Sequence, residues 1–556
     1  MGMMSDPFEQ RREQMFPKLT ASQIERIERY GTHRHIGRGE VLVEQGAHDV
    51  SFYVVLNGSL EVVRPADGHE DPVTVHRESE FTGETSLLAG RSSLVRSRAA
   101  EDSELLELNA AGLRSLVQTD SELSELIMRA FILRRVSLIA RGLGDVVVVG
   151  SHHSPNTLRL KEFLVRNGHP HAYLDLERDP DVDALLERFG VKAEEIPVLI
   201  CRGELVLRNP TFGQVADCLG LNADIDIGGT VRDVLVVGAG PSGLAAAVYG
   251  ASEGLDVLVL ETHAPGGQAG SSSKIENYLG FPTGISGEAL AGRAFTQAEK
   301  FGANVAIARP AAKLLCQRRP FAVELSTGDV VHARAIVIAS GARYRKPPLD
   351  RLSSFEGAGV YYAATRVEAL VCGGEEVIVV GGGNSAGQAA VFLSETAKHV
   401  HMLVRSDSLA ATMSRYLIKR IEDSSRITLR TRTQIEALEG NGHLEGVRWH
   451  SSETGEVRTC PARHVFLMTG AEPNTTWVEG CIALDEKGFV KTGSDLTPDD
   501  LAAARWPLDR QPYLLETSQP GIFAVGDVRA GSVKRVASAV GEGSICVQLV
   551  HKALAE

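Results

Sequence analysis

The sequence has few cysteines and few aromatic residues, and it carries no excess of basic charge. It contains 7 cysteines in 556 residues, and no two of them have the C-x-x-C spacing. An odd cysteine count without that spacing argues against a disulfide scaffold or a zinc ribbon, and it fits a reducing cytoplasm. The net charge is −13 and aromatic residues make up 5% of the chain. We therefore expect no nucleic-acid partner.

Long apolar runs are also missing. No stretch reaches the roughly 20 apolar residues that span a bilayer, and residues 1–20 are charged without an apolar signal region. Hydrophobic residues make up 43% and charged residues 23%, a composition typical of folded domains. At about 150 residues per domain, this length predicts three to four domains. We expect a cytoplasmic multidomain protein with no secretion signal and no membrane span.

Glycine, in contrast, is plentiful and clusters after apolar runs. Gly238, Gly240 and Gly243 follow the predicted strand 233–237, which is apolar after Asp233, and they open an alanine-rich helix. Glycines at this spacing let the backbone approach a pyrophosphate, which binds the free N–H groups of the helix N-terminus. Glu261 ends the next apolar strand, about 20 residues further on, where a carboxylate binds ribose hydroxyls. We predict a dinucleotide site; the alternative is a tight turn without a ligand.

A second copy of this pattern begins near residue 376. Gly381, Gly383 and Ala386 repeat the fingerprint, and the following apolar run 399–404 ends at Arg405 instead of an acid. A cation at this position suits a 2′-phosphate, which predicts NADPH in preference to NADH. The alternative for Arg405 is a solvated surface charge.

The two copies resemble low-molecular-weight thioredoxin reductase and related flavoproteins with two dinucleotide-binding domains. The resemblance covers about residue 233 to the end, and it extends over segments 265–269, 275–282, 338–342, 469–474 and 521–527. It implies FAD at the first site and NADPH at the second, with a hydride passing from the nicotinamide to the flavin. It assigns no catalytic residue, because hydride transfer requires no acid or base.

The same resemblance implies the cofactor-binding residues. For FAD these are Gly238, Gly240, Pro241, Ser242, Gly243, Glu261, Gly267, Gln268, Asn277, Gly341, Asp527, Arg535 and Val536. For NADPH they are Gly381, Gly383, Asn384, Ser385, Ala386 and Arg405. Asp527 is expected at the ribityl chain. Lys534 and Arg535 are expected near one edge of the flavin, and the alternative is that both side chains point into solvent.

The redox-active cysteine pair of this family is missing from its usual place. The family has a C-x-x-C pair after a Gly-Val-aromatic run, and here that run, 359–362, is followed by Ala363 and Arg366 at the two positions. Disulfide exchange needs an attacking thiolate and a second sulfur, so this route to thioredoxin is closed. Cys372 and Cys546 lie in apolar segments and are predicted to be buried core thiols.

Residues 142–222 alternate strands and helices and resemble a glutaredoxin or thioredoxin-like domain. Ser154 and Thr157 stand where that family has its C-P-x-C cysteines, and Ile196-Pro197 resembles its cis-proline loop. Without either thiol, the domain is expected to dock or to space its neighbours. No metal site is predicted anywhere in the chain.

The first 141 residues contain short strands with period-two alternation and glycine turns, which predicts a β jelly roll. Segments 81–88 and 91–98 resemble a cyclic-nucleotide-binding domain. The resemblance implies a cyclic-nucleotide site built from Gly83, Glu84, Arg91 and Ser92. The arginine would neutralise the phosphate and the glutamate would bind the ribose. The spacing between these two is shorter than usual, and the alternative is an empty jelly roll used for contacts.

These observations predict a multidomain α/β chain with an N-terminal jelly roll, a thioredoxin-like domain and two Rossmann-like domains. The predicted segments are 1–141, 142–222, a linker 223–230, FAD domain 231–345, NADPH domain 346–465 and the second FAD half 466–556. The predicted function is an NADPH-dependent flavoprotein that passes electrons from reduced FAD directly to an unidentified acceptor, regulated by a cyclic nucleotide.

Two alternatives stay open. One is a non-catalytic FAD- and NADPH-binding sensor, and the other is a thioredoxin reductase that uses a different thiol. A homodimer is predicted through the apolar helix 121–140 or the flavoprotein domain.

Overall fold

The structure is a computed structural model and divides into two compact units. It describes residues 12–556 apart from 48–49, 67–68, 84–86, 88–92, 94, 141–145, 153, 178–194, 202–204, 223–224, 273, 357, 363, 365 and 442. For residues 66, 69, 135–136, 138–140, 366 and 367 it describes the backbone only. One unit comprises Met1–Ser151, Phe163–Asp226 and Thr296–Ala308, and the other comprises His152–Glu162, Ile227–Phe295 and Arg309–Glu556.

The first unit begins with two antiparallel sheets, as the alternating pattern predicts. The strands of one sheet, in order, are Thr32–Ile36, Ser103–Leu108 and Phe52–Asn57. The strands of the other, in order, are Val41–Val43, Arg96–Ala99, Ser59–Ala66 and His69–Arg77. The helices of this region are Arg12–Met15, Ala21–Glu28, Ala110–Thr119 and Ser121–Ala140.

The long helix Ser121–Ala140 has the bounds that its sequence period predicts. Its residues Ile127 and Phe131 are fully buried. The Phe131 ring packs edge-on against Phe52 and Phe81, with ring centroids 6.2 and 6.3 Å apart. The apolar stripe of this helix is therefore part of the core of the first unit.

A mixed four-stranded sheet follows within the first unit. Its strands, in order, are Leu205–Arg208, Val198–Cys201, Val146–Gly150 and Ala172–Asp175. The helices of this segment are Pro155–Arg166 and Phe212–Cys218. The first of these begins at Pro155, because proline suits the first helical position. The peptide bond Ile196–Pro197 is cis, as expected.

In the second unit, a sheet carries the first glycine turn. Its strands, in order, are Val257–Glu261, Val231–Val237, Val330–Ile338, Phe321–Leu325 and Ala311–Leu315, and Ile522–Ala524 also pairs with Val330–Ile338. The strands around Val231–Val237 are parallel, which places the turn after it at the carboxyl edge of the sheet. The elements that follow in this part of the sequence are the helices Pro241–Ser252, Gly267–Gly270 and Gly287–Lys300 and the strand Asn304–Ile307. The last helix of the chain is Val536–Ala555.

A second, fully parallel sheet carries the second glycine turn. Its strands, in order, are Val360–Tyr361, His464–Leu467, Glu376–Val380, His399–Leu403 and Ile427–Arg430. A three-stranded antiparallel sheet accompanies it, with strands Thr433–Glu439, Gly446–Ser451 and Val457–Cys460. The helices are Leu352–Phe355, Arg366–Val371, Asn384–Leu393 and Arg415–Glu422. Strand Ala342–Tyr344 pairs with Ala471–Pro473, so the chain enters and leaves this region side by side.

The last part of the chain returns to the sheet of the first glycine turn. It contains the short 3₁₀ turns Thr476–Val478, Gly493–Asp495 and Gly526–Val528 and the helix Pro498–Ala504. Among the residues that the structure describes, no helix has the length and apolar character that a bilayer crossing requires.

Gly543 allows the helix Val536–Ala555 to pack closely on Pro241–Ser252. A Cβ atom at Gly543 would overlap the Ser242 carbonyl oxygen and lie 2.9 Å from the Ala245 Cβ, whereas Gly541 has no described atom within 4 Å of that position. We expect Gly543→Ala to lower the free energy of unfolding by about 1–3 kcal/mol. Gly541→Ala should raise it by up to about 1 kcal/mol. Denaturant unfolding of both variants measures the difference, and equal effects would contradict this packing.

Candidate nucleotide-binding sites

The first glycine turn is closely packed at two of its glycines and open at the third. Gly238 has φ +107°, and a Cβ atom there would overlap the Ala339 carbonyl oxygen. A Cβ atom at Gly243 would overlap the carbonyl oxygen of Gly238. Gly240 caps the helix Pro241–Ser252 with extended backbone, without a side-chain cap, and with no described atom within 4 Å of its Cβ position. The helix therefore begins at an open position without a side-chain cap, as a pyrophosphate site requires.

Glu261 lies beside this turn and is held in place by the backbone. Its carboxylate accepts hydrogen bonds from the Ala239 N–H at 2.8 Å and from the His263 N–H at 2.9 Å. The residue is 8% exposed. An ionised carboxylate has about four acceptor positions, so these two bonds leave capacity for ribose hydroxyls.

The segment around Gly267 and the strand end near Gly341 both reach the first turn. The Gly266 N–H donates to the Ala239 carbonyl at 2.7 Å, and a Cβ atom on Gly267 would lie 3.1 Å from the Gly240 Cα. The Gln268 side-chain amide donates to the Ala342 carbonyl oxygen. Gly341 has φ +64°, which favours glycine. The structure thus brings three of the predicted segments together.

Asp527 lies in the 3₁₀ turn Gly526–Val528, which a residue of the last helix holds by a hydrogen bond. The Gly526 N–H donates to the Glu542 carboxylate at 2.7 Å, and a Cβ atom on Gly526 would lie 2.5 Å from the Ser242 Oγ. Burial raises the pKa of the Asp527 carboxyl, and the Lys534 ammonium opposes this shift. Sequence reasoning missed Glu542, because nothing in the motif indicates the position of a residue on a distant helix.

The remaining residues predicted for FAD are more exposed. The Lys534 Nζ donates to the Asp527 carbonyl oxygen at 3.1 Å. Arg535 is exposed at the N-cap of the helix Val536–Ala555, and Asn277 is exposed in its loop. The Arg535 side chain is accessible and Lys534 folds back towards Asp527, and a place for either at the flavin edge stays a prediction.

The second glycine turn repeats the geometry of the first. Gly381 has φ +142°, and a Cβ atom there would overlap the Met468 carbonyl oxygen. Gly383 caps the helix Asn384–Leu393 with extended backbone, and no described atom lies within 4 Å of its Cβ position. Ala386 is fully buried. The Asn384 Oδ1 accepts hydrogen bonds from the Ser414 N–H at 2.7 Å and its Oγ at 2.9 Å.

Arg405 lies close to the second turn in the sheet. The Gly381 N–H donates to the Leu403 carbonyl at 3.0 Å, and Arg405 follows two residues later with an exposed side chain. Its guanidinium is therefore accessible near the predicted nucleotide turn. Binding of a 2′-phosphate by this residue stays a prediction.

Tyr344 connects the two predicted sites, and sequence reasoning missed it. Burial raises the pKa of its hydroxyl, the negative charge of Asp527 raises it further, and a hydrogen bond with Ser385 lowers it. One tyrosine therefore interacts with a residue of the second glycine turn and with the acid predicted to hold the flavin.

Comparison with known protein families identifies the family that contains these two glycine turns. The family model described as Pyridine nucleotide-disulphide oxidoreductase matches residues 232–543, a range that contains both glycine turns. The chain belongs to this family. It is a thioredoxin reductase-like, NAD(P)H-dependent flavoprotein enzyme. A second model, Cyclic nucleotide-binding domain, matches residues 33–120.

Relatives within the pyridine nucleotide-disulphide oxidoreductases are thioredoxin reductases. That of Bacillus subtilis (strain 168) is 33% identical over 322 residues, which are 58% of this chain and 94% of that protein. NADPH-dependent thioredoxin reductase 3 of Arabidopsis thaliana is 30% identical over 359 residues, 62% of this chain and 64% of that protein. The crystal structure of Lactococcus lactis thioredoxin reductase (FR conformation) aligns with a TM-score of 0.52 at 27% identity, covering 58% of this chain and 99% of that one.

The cysteines of this pyridine nucleotide-disulphide oxidoreductase correct one prediction. The sequence argues against a disulfide scaffold, yet four cysteines are bridged, Cys201 to Cys218 and Cys316 to Cys481. The partners are 17 and 165 residues apart, so folding rather than a spacing motif brings them together.

The free cysteines behave as predicted. Cys372 and Cys546 are buried, and burial raises the pKa of both thiols, that of Cys372 to about 12. A thiol with such a raised pKa is a poor nucleophile at neutral pH. Ala363 lies outside the described residues, as does the side chain of Arg366.

Of the four residues predicted to bind a cyclic nucleotide, the structure describes only Gly83. Glu84, Arg91 and Ser92 lie outside the described residues. Gly83 has φ +102°, and its carbonyl oxygen accepts a hydrogen bond from the Arg134 Nη1 at 2.8 Å. The start of this segment is thereby tied to the helix Ser121–Ala140.

Proposed function

We propose that this enzyme takes electrons from NADPH into FAD and passes them from the reduced flavin directly to an external acceptor. The observation that carries the proposal is the repetition of one glycine turn, in which Gly240 and Gly383 each precede a helix that starts without a side-chain cap. The family to which the chain belongs uses both cofactors.

The residues of both sites fit the two dinucleotides. At Gly240 and at Gly383 the space that a Cβ atom would fill is open, and each residue precedes uncapped helical N–H groups. These groups would bind the two pyrophosphates, Glu261 would bind a ribose, and Asp527 would bind the ribityl chain. When bound, FAD would supply the capacity to accept a hydride and release its electrons to an acceptor.

The direct route to an acceptor is supported by the chemistry of the thiols. The two positions of the family's cysteine pair hold Ala363 and Arg366, neither of which exchanges disulfides. Cys372 and Cys546 are buried with raised pKa values. We therefore propose that no sulfur relay stands between the flavin and the acceptor.

One observation favours a second candidate, a disulfide reductase that uses another sulfur pair. Cys316 and Cys481 form a disulfide, and both residues are partly exposed. A bridge of this kind can exchange with an external dithiol. The experiment below separates this route from the direct one.

Further parts of the proposal concern domain organisation and regulation. We propose the boundaries given above, with the NADPH domain 346–465 inserted into the FAD domain; the paired strands Ala342–Tyr344 and Ala471–Pro473 support this insertion. We also propose a thioredoxin-like docking domain at 142–222, a cytoplasmic homodimer, and a cyclic nucleotide that regulates electron transfer. The hydrogen bond between Arg134 and the Gly83 carbonyl gives the nucleotide segment a connection to the helix Ser121–Ala140.

An anaerobic titration with NADPH tests the proposal. We expect NADPH to bleach the flavin absorbance and to support turnover with ferricyanide or a quinone. The double variant Cys316→Ser/Cys481→Ser should retain this turnover within about twofold, because the proposed route uses no sulfur. The matched control is Cys201→Ser/Cys218→Ser, which removes the other bridge.

Two outcomes would reject the proposed route. A flavin that NADPH does not bleach would indicate the non-catalytic sensor. Loss of turnover with thioredoxin-like disulfides in the Cys316→Ser/Cys481→Ser variant, but not in the control, would indicate the disulfide reductase.

A further inference from the structure

Three side chains with metal-binding atoms meet at the edge of the second parallel sheet away from its glycine turn. Glu376 is the first residue of the strand Glu376–Val380, His401 lies on the neighbouring strand, and Cys460 ends the strand Val457–Cys460. Their ligand atoms all lie within 4.8 Å of one another. The His401 Nε2 is 3.4 Å from the Glu376 Oε2, and the Cys460 Sγ is 3.9 Å from the same oxygen.

The cluster combines one nitrogen, one oxygen and one sulfur donor in a sheltered position. Cys460 is 7% exposed, and the side chain of His401 is 12% exposed. The Nδ1 atom of His401 is buried and has no hydrogen-bond partner among the described residues. Burial shelters these donor atoms from water, and a bound metal ion would compensate for the burial of polar atoms.

We propose that Glu376, His401 and Cys460 form a binding site for a divalent transition-metal ion of the Zn²⁺ class. A tetrahedral zinc site with metal–ligand distances of about 2.0–2.3 Å needs ligand atoms roughly 3.5 Å apart. Two of the observed distances already lie near this value, so small side-chain movements would close the site. A water molecule would supply the fourth ligand.

The surrounding charges are compatible with such an ion. Lys398 is paired with the other carboxylate oxygen of Glu376 at 3.2 Å, but its side chain is 69% exposed and can move into solvent. The Arg430 guanidinium lies against the Trp449 ring, 5.5 Å from its centroid. A thiolate and a carboxylate together neutralise a dication. His399, the other titratable side chain here, bonds to the Thr428 Oγ1 at 2.8 Å.

The site lies between two sheets. Glu376 and His401 belong to the parallel sheet and Cys460 to the antiparallel sheet, so a bound ion would connect the two sheets. The strand Glu376–Val380 separates the cluster from the glycine turn by about 13 Å. The proposal therefore does not depend on the nature of the electron acceptor. Sequence reasoning predicted no metal site, because the ligands are far apart in the chain and share no motif.

Competition between the full-length protein and a chromophoric zinc chelator tests this proposal. After treatment with a strong chelator and buffer exchange, we expect the protein to bind one Zn²⁺ per chain at this site. Cys460→Ser and Glu376→Gln should each weaken binding by at least about tenfold, and the former by up to about 100-fold. Cys372→Ser, which alters another buried free thiol, is the matched control and should bind as the unmodified protein does.

Titration with Co²⁺ provides a second readout that does not depend on activity. A thiolate ligand produces a near-ultraviolet charge-transfer band, which should be present in the unmodified protein and absent in Cys460→Ser. Circular dichroism establishes that each variant is folded before it is compared. Zinc binding below one-tenth of an equivalent in the unmodified protein would overturn the proposal. Equal affinity and an equal cobalt band in folded Cys460→Ser would do the same.

Discussion

Gly240→Ala should release FAD from the purified protein while leaving the protein folded. Gly240 has extended backbone that any residue adopts, and no described atom lies within 4 Å of its Cβ position. The protein alone therefore accommodates a methyl group there. A pyrophosphate bound to the following helix would occupy the same space, so the methyl group should weaken FAD binding by about 10- to 100-fold. The absorbance ratio of flavin to protein and the melting temperature measure the two effects.

Two other glycine variants make this experiment specific. Gly243→Ala places a methyl group against the Gly238 carbonyl oxygen, so it should lower both FAD content and stability. Gly541→Ala has open space and lies outside the turn, and it should change neither FAD content nor fold. Full FAD occupancy and unchanged affinity in Gly240→Ala would show that the cofactor does not approach this turn.

The parts of both sites that the sequence predicts correctly are local ones. Gly238 and Gly381 need positive φ angles, and each is followed within a few residues by a helix that starts without a side-chain cap. Such requirements are met by neighbouring residues, so the spacing of the glycines and the preceding apolar runs reveal them. The same reasoning explains why the bounds of Ser121–Ala140 follow from its sequence period.

The parts that the sequence does not predict depend on distant residues. Tyr344 interacts with Ser385 and Asp527 only because the chain returns to the first sheet after the second. Glu542 supports the turn before Asp527 from the last helix. The bridge between Cys316 and Cys481 likewise joins residues 165 positions apart. No periodicity or short motif records these contacts, since each is set by tertiary packing.

Gly383→Ala should abolish flavin reduction by NADPH while FAD stays bound. Gly383 is equivalent to Gly240 in the second turn: its backbone is extended and no described atom lies within 4 Å of its Cβ position. A methyl group there would meet the pyrophosphate of NADPH and nothing else, and we expect a loss of NADPH affinity of about 10- to 100-fold. Stopped-flow reduction at increasing NADPH concentrations measures this loss, and dithionite should still bleach the flavin completely.

The comparison of Gly383→Ala with Gly240→Ala separates the two sites. If the first turn binds FAD and the second binds NADPH, one variant loses the flavin and the other keeps the flavin but loses its reductant. Reduction of Gly383→Ala by NADPH at the unmodified rate and concentration dependence would remove the second turn from the electron path. Since a methyl group at either position meets no described protein atom, a defect confined to one cofactor identifies the ligand that occupies that space.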